Sequence, residues 1–504
     1  MLLSFLRVSR LVLGLTVTLG ALPAFGQFDD MANVEADSAL LARFTPKSGV
    51  KTSITDRELA ERLGQLSGCL DLRPTRVVKS YITHYMFRQE KTRRILRNRL
   101  VYFPLFESKL REHGLPDDLK YLSVVESALN PNAVSRVGAS GLWQFMPATG
   151  TDYGMQINSA VDERNNIVKS TDGAMRYLKH LYAQYNDWAL VLAAYNSGPN
   201  RVNSAMRRAG SRNYWVIQRY LPEETRNYVP AFIAATYLCN FFGEHDFDFD
   251  QPDMDYQLLD HIAVYDGMSF SAIAKATGLS YQMVSELNPG FKRAYVPPSK
   301  RGYYVTLPKR VMPAFVRHLN SLGANQYKVD ASAYPAPSDA AAHNGVNYYC
   351  TTINCSETDI VDRFAAKSGY SGAQLRAWNN LSNHYVYPNQ SLKVWHPVPA
   401  LKHFGGIEAP VSAAPSRPTP AAADVPSSRL IVTTVSGGAA AAPAKPAVQR
   451  PATPQKQYQF HKVKDKETMS DLARRYGVSE DALIALNNTA DVKPGMLVKI
   501  KELK

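Results

Sequence analysis

Residues 115–127 read Leu-Pro-Asp-Asp-Leu-Lys-Tyr-Leu-Ser-Val-Val-Glu-Ser, and this stretch decides the fold. Pro116 followed by Asp117 and Asp118 is a helix-start signal, with acids where the helix dipole favours them. Leu119, Leu122, Val125 and Leu129 then recur at helical spacing. Glu126 lies four residues after Leu122 and seven after Leu119, on the same apolar stripe. A carboxyl held there loses solvation as an anion, which raises its pKa and keeps it protonated near neutrality. The competing reading is a glutamate at the edge of an amphipathic helix, reaching water, as most lone glutamates do.

The residues that follow favour the first reading. Residues 135–149, Ser-Arg-Val-Gly-Ala-Ser-Gly-Leu-Trp-Gln-Phe-Met-Pro-Ala-Thr, pack turn-forming positions ahead of a Trp, a Gln and a Met. Residues 188–199, Trp-Ala-Leu-Val-Leu-Ala-Ala-Tyr-Asn-Ser-Gly-Pro, are apolar on almost every face and predict a central core helix ended by Gly198-Pro199. Tyr195 and Asn196 fall at its end, where side chains can open into a cleft. Glu224-Thr-Arg-Asn-Tyr-Val-Pro230 adds a further polar cluster at a helix start.

Taken in order, Glu126-Ser127, Gly141-Leu-Trp-Gln-Phe-Met146, Val161-Asp-Glu-Arg164, Ala194-Tyr-Asn196 and Glu224-Thr-Arg-Asn-Tyr228 resemble the family 1 lytic transglycosylases, in the membrane-bound murein transglycosylase D type. The resemblance covers residues 99–242. It departs at Asn165-Asn166, where a charged residue and then Asp-Pro are expected. Trp143 stands where many relatives carry Met, although Trp is usual in this type. The resemblance implies a lysozyme-like fold; the periodicity itself establishes only a mainly α domain.

The rest of the chain sets this domain in context. Arg7 and Arg10, an apolar stretch over residues 11–22 and small residues around Ala24-Phe-Gly26 read as an export signal, residues 1–26. The stretch is short for a membrane span, and no Cys near the cut supports a lipid anchor. Residues 27–100 are expected to form an N-terminal helical extension whose basic run, residues 91–99, is a solvated helix face. Residues 101–248 make the catalytic domain, with Ser170 or Thr171 capping a helix striped by Ala174, Leu178, Leu181 and Tyr185, and a last helix starting near Tyr228-Val-Pro230. A net charge of +14 fits an acidic partner. Export argues against nucleic acid and for an anionic wall polymer. Of four cysteines, Cys350 and Cys355 are the disulfide candidate because of their short loop, and Cys239 reads as a buried thiol. No spacing suggests a metal site.

Beyond residue 248 a plan of strand, helix, Gly-containing turn, helix and strand recurs. It spans residues 256–308, 346–397 and 457–502, and resembles LysM modules, small βααβ (α+β) domains that bind N-acetylglucosamine-containing chains. The first copy, with its longer connection at residues 292–301, is degenerate. An Ala/Pro-rich segment, residues 398–456, cannot bury enough apolar surface to fold and reads as a tether, with a shorter linker at residues 334–343.

What the resemblance implies is a reaction with one carboxyl and no cofactor or metal. Glu126 would be acid and then base in cleaving peptidoglycan glycan strands between N-acetylmuramic acid and N-acetylglucosamine. Ser135 and Gln144 would hydrogen-bond near the acid or the sugar, Met146 would line the sugar subsites, and Tyr195 and Asn196 would orient the N-acetyl group. Tyr228 would close the cleft, with Ser127 and Glu224 behind. The setting would be the periplasm or cell envelope; membrane association and oligomeric state stay open. Two alternatives remain at this point: a goose-type-lysozyme-like hydrolase and a non-catalytic wall-binding protein.

Overall fold

The computed structural model of the chain describes residues 49–66, 68–323, 327–329, 334, 342–344, 347–381, 385–400, 457–463, 467–480, 482–483, 492 and 497–503. The expected export signal and nearly all of the expected tether lie outside these residues. The described residues fall into two units, one up to residue 400 and one from residue 457. The first unit is mainly α, with two small α+β modules.

Local signals place the helices. Asp56–Gln65 opens on a capping box between Thr55 and Glu58, and Thr75 caps Arg76–Phe87. The 25-residue Gln89–His113 helix ends on Gly114 in the left-handed conformation. A single 3-10 turn, Asp117–Tyr121, then leads into the short Leu122–Ser127 helix. Lys120, nearly fully buried, ties that turn to the long helix through Glu107 (2.8 Å) and closes within the turn on Asp117 (2.5 Å). The helix Ile167–Tyr185 starts earlier than expected. Asn166 is its cap, its side chain accepting from the amides of Val168 and Lys169. Ser170 and Thr171 instead sit within the helix and donate to the carbonyls four residues back.

The core is centred on two helices, Trp188–Ser197 and Glu223–Phe241, buried along most of their length. Each Leu, Val or Phe so buried stabilises by roughly 1.5–3 kcal/mol. The second of these helices begins at Glu223, so Pro230 lies inside it rather than near its start. Proline cannot donate to the carbonyl four residues back. Here the Tyr214 hydroxyl donates to that carbonyl, Arg226 O, at 2.7 Å. The basic run is likewise not all a solvated face. Arg99 is 1% exposed, donates to Cys239 O at 2.6 Å and lies 4.2 Å from the Phe242 ring centroid.

Both modules of the first unit follow the plan read from the sequence. In the first, Leu259–Val264 pairs antiparallel with Tyr303–Pro308, and the helices Phe270–Thr277 and Tyr281–Leu287 lie between them in sequence. A further helix, Met312–Ser321, adds Met312, Phe315 and Leu319 to its core. In the second, Tyr348–Asn354 pairs with Ser391–Pro397 around Val361–Lys367 and Gly372–Asn379.

These two modules do not hang from the helical domain as separate beads. Pro104 inside the long helix leaves Leu100 O without a helical donor, and Gln374 of the second module donates to it at 3.4 Å. Gln374 also donates to Gln257 O at 2.5 Å, and Ala373 belongs to the core of the helical domain. The expectation that the repeats follow across separate linkers is therefore corrected for these two. In the second unit Gln457–Lys462 pairs with Leu497–Leu503. Its helix Met469–Tyr476, capped by Thr468 and Asp471, adds Met469, Leu472 and Ala473 to a small core. Among the described residues, no helix is long and apolar enough to cross a membrane.

The disulfide expectation is also overturned, since Cys350 and Cys355 are both free thiols. Cys350 lies opposite Trp395 in the ladder, and Cys355 extends the same strand by donating to Gln390 O. Five residues of extended strand span roughly 16 Å, whereas bridged cysteines sit roughly 4.4–6.8 Å apart at Cα. A short loop in sequence is a long distance here because the chain between the two is a strand. Alkylation of the denatured, unreduced protein should label both positions, as read by peptide mass spectrometry.

Candidate functional site

Glu126 occupies the last turn of Leu122–Ser127, which stops because Ala128 and then Leu129 adopt left-handed conformations, φ 51° and 56°. Such residues each cost roughly 1–3 kcal/mol and persist where surrounding structure over-determines them. The surroundings here are the hydroxyls of Ser123 and Ser127, which both donate to Leu142 O, at 2.8 and 3.0 Å. They fasten the helix to the loop that follows it. Ser127 is thus a fastener placed beside the acid.

The carboxyl of Glu126 is 6% exposed, and burial pushes its pKa up to about 8. The hydroxyl of Tyr228 donates to its Oε1, which pulls the other way, while the charge of Glu224 adds to the rise. Desolvation wins, so the acid is neutral at pH 7. Tyr228 is itself fully buried. Its hydroxyl therefore reaches the carboxyl from the core side.

Tyr195 and Asn196 come from the end of the Trp188–Ser197 helix, as read from the sequence. The Tyr195 hydroxyl donates to Trp143 O at 2.8 Å, and its pKa lies well above the usual phenol value through burial and then the charge of Glu126. Asn196 accepts from the Thr225 hydroxyl at 2.8 Å and faces Glu224 at 3.5 Å. Glu126, Tyr195 and Tyr228 are thus gathered at one place, and Asn196 with Glu224 beside it.

Residues 133–146 form the loop to which Ser123, Ser127 and Tyr195 are bonded. Gln144 has φ 46°, and its side-chain amide donates to Ala133 O (3.1 Å) and Gly141 O (2.8 Å). Its amide nitrogen is occupied in shaping the loop. Ser135 closes its own turn, accepting from the Ala139 amide at 2.9 Å. Met146, half-buried, precedes the helix Pro147–Asp152 as its cap residue. The structure therefore gives Ser135 and Gln144 visible scaffold contacts, while Tyr228 contacts the acid itself.

The motif Val161-Asp-Glu-Arg164 yields a part that the residue-by-residue reading passed over. Asp162 holds the Arg164 guanidinium through two bonds, 2.9 and 2.7 Å. Arg164 Nη1 then donates to Gly138 O and Phe145 O, at 2.7 and 3.1 Å. A buried Arg in such a clamp pins both ends of the loop. Gly141 is required against it: at φ +85°, an added Cβ would lie 2.0 Å from Arg164 O. The departure at Asn165-Asn166 is also accounted for. Asn165 accepts from the Ser140 hydroxyl at 2.6 Å, and Asn166 caps a helix. A buried Arg three residues after Val161 was the available signal. Among the described residues, no group of three or more His, Cys, Asp or Glu could hold a metal ion.

Comparison with known proteins agrees with the resemblance drawn from the motifs. Residues 103–218 match the Transglycosylase SLT domain, and residues 258–324 the Lytic transglycosylase MltD, LysM-like domain. Residues 358–395 and 461–501 match the LysM domain. The chain is homologous to the membrane-bound lytic murein transglycosylase D of Escherichia coli strain K12, at 27% identity over 298 residues, 58% of this chain. It spans 63% of that relative's length. The soluble lytic murein transglycosylase of the same strain is 34% identical over 158 residues, 29% of this chain and 24% of that one. The crystal structure of the 70 kDa soluble lytic transglycosylase from Escherichia coli is 22% identical, covering 43% of this chain and 36% of that one. Its TM-score is 0.27.

The raised pKa of Glu126 has a stability consequence. Between the ordinary carboxyl value of 4.5 and about 8, the folded chain holds a proton that the unfolded chain has lost. Stability from this group is complete below pH 4.5 and is lost as pH rises to about 8. Glu126→Gln has no such proton to lose. Its thermal midpoint relative to wild type should therefore rise steadily from pH 5 to pH 8, as read by calorimetry. A constant difference across that range would put the carboxyl in water.

Proposed function

We propose that this chain is a peptidoglycan lytic transglycosylase acting in the cell envelope. It cleaves the β-1,4 bond from N-acetylmuramic acid to N-acetylglucosamine without consuming water. The observation that carries the reading is a single neutral carboxyl, Glu126, backed by the Tyr228 hydroxyl and gathered with Tyr195. Glycosidases that hydrolyse generally need a second carboxylate as nucleophile or base. Among the described residues, the one carboxylate whose charge is felt at Glu126 is Glu224, and it faces Asn196. The matched transglycosylase segment and the murein enzymes named above support the substrate class.

The chemistry follows from the protonation state. Tyr228 donates to Oε1, which leaves Oε2 to carry the transferable proton. Glu126 gives that proton to the bridging oxygen as the glycosidic bond breaks. The N-acetyl oxygen of the muramyl sugar supports positive charge at the anomeric carbon, with Tyr195 and Asn196 orienting that group. Glu126, now a carboxylate in an apolar setting, is a strong base. It takes the proton of the C6 hydroxyl of the same sugar, whose oxygen closes a 1,6-anhydro ring. The proton balance returns Glu126 to its starting form. Ser135, Gln144 and Met146 contribute the wall of the sugar subsites, Gln144 and Ser135 by fixing the backbone of that wall. Glu224 acts behind Asn196.

The LysM-like segments supply affinity for the glycan, and a second attachment point raises local concentration at an insoluble polymer. A chain lacking residues 435–504 should keep its kcat on short soluble glycan fragments and sediment less with intact sacculi. Equal sedimentation would remove the binding role of that segment.

The reaction is tested by its products. Mass spectrometry of muropeptides released by the full chain should find 1,6-anhydro-N-acetylmuramic ends, one water lighter than hydrolysed ends. Reducing ends as the main product would make this a hydrolase. General acid–base catalysis contributes roughly a hundred- to ten-thousand-fold, so Glu126→Gln should lose activity on that scale while staying folded. Wild-type activity should fall as pH rises through about 8, where the acid loses its proton.

A further inference from the structure

The module over residues 258–324 reaches the catalytic loop directly. Its turn at Asn288-Pro-Gly-Phe-Lys292 runs antiparallel to residues 160–162. Asp162 donates its amide to Gly290 O at 2.8 Å, and the Lys292 amide donates to Ala160 O at 2.9 Å. Val161, though it precedes the module by about a hundred residues, is 1% exposed and packs in the module's core with Phe291. Side chains reinforce the seam. The Tyr303 hydroxyl donates to Gln156 Oε1 at 2.6 Å, the Asn166 amide to Tyr304 O at 2.9 Å, and Lys292 Nζ to Asn158 O at 2.7 Å. Gly290 sits so close that an added Cβ would meet Asp162 O and the Asn166 amide nitrogen at 3.2 Å.

This seam is one bonded residue away from the wall of the site. Asp162, whose amide the module holds, grips Arg164, and Arg164 holds Gly138 O and Phe145 O on either side of Gln144. The Phe145 ring packs edge-on to Tyr195 at 6.5 Å. A loop whose Gln144 has a positive φ does not keep that shape by its own propensity. It needs its ends fixed, and the fixing chain runs through Asp162 into the module.

We infer that the 258–324 module is a positioning element of the reaction: its Gly290–Lys292 edge holds Asp162, and through Arg164 the loop to which the Glu126 helix is fastened by Ser123 and Ser127. The inference rests on the transglycosylase reading for its chemistry. In this role the module need not bind glycan at all, which accounts for a degenerate copy of the repeat remaining welded to the helical domain.

The test uses the full chain with three variants. Lys292→Pro removes both Lys292 donors to the seam, the amide to Ala160 O and Nζ to Asn158 O, Gly290→Val wedges the seam, and Tyr303→Phe removes one hydroxyl with little change of packing volume. Bond cleavage is counted on soluble glycan fragments, whichever end is formed. Lys292→Pro and Gly290→Val should lower kcat at least tenfold with KM changed less than threefold, and Tyr303→Phe should lower it two- to fivefold. The upper pH limb should move below 8 in the first two, because a loosened loop admits water to Glu126. Sedimentation with sacculi should be unchanged. If Gly290→Val fails to fold, the other two carry the comparison. A kcat within twofold of wild type in Lys292→Pro and Tyr303→Phe overturns the inference, as does a loss confined to KM or to sedimentation. Wild type releasing reducing ends would overturn the proposed reaction alone and leave the kcat comparison readable.

Discussion

A carboxyl group held neutral inside a helical core is the constraint to which the rest of the first unit answers. Moving an anion there is expensive, so Glu126 keeps its proton up to about pH 8. That state persists only while the walls exclude water. One wall is the core helix carrying Tyr228, and another is the end of the helix carrying Tyr195. The third is a loop that has no regular structure to hold it. Left-handed Gln144 lies in this loop, and left-handed Ala128 and Leu129 end the helix that carries the acid. Strain of this kind persists where the surrounding structure over-determines it.

The loop is kept in place by polar contacts, each answering a local deficit. Ser123 and Ser127 share Leu142 O, Gln144 bonds back to Gly141 O and Ala133 O, and Arg164 spans Gly138 O and Phe145 O. Buried carbonyls without partners are costly, so these bonds fix shape as well as adding stability. The same logic operates away from the site. Each in-helix proline leaves a carbonyl lacking its helical donor, and each such carbonyl takes a donor from elsewhere: Tyr214 for Arg226 O, Gln374 for Leu100 O. The second of these donors comes from a module more than two hundred residues away. The second module is thus joined to the helical domain in part through a backbone group that the helix could not satisfy by itself.

The sequence by itself determined the helical character of the domain, the repeated βααβ plan and the place of Glu126 on an apolar stripe. These follow from short-range physics: apolar spacing, helix caps, glycine turns, and one glutamate on an apolar stripe. The ends of the elements were less legible. Asn166 rather than Ser170 caps its helix, and Pro230 lies within a helix, because capping and proline tolerance depend on which neighbour can bond the freed groups.

Only the tertiary structure decided how those parts are used. Tyr228 became the partner of the acid because the Glu223–Phe241 helix packs against Leu122–Ser127, a contact across a hundred residues. Cys350 and Cys355 stayed apart because the intervening residues pair with Ser391–Pro397 and are drawn out straight. Val161 turned from a residue of the catalytic motif into a core residue of the following module. A sequence records what each segment prefers. Which segment meets which depends on long-range packing and on where an unpaired donor or acceptor finds its mate, and that information exists only once the chain is folded.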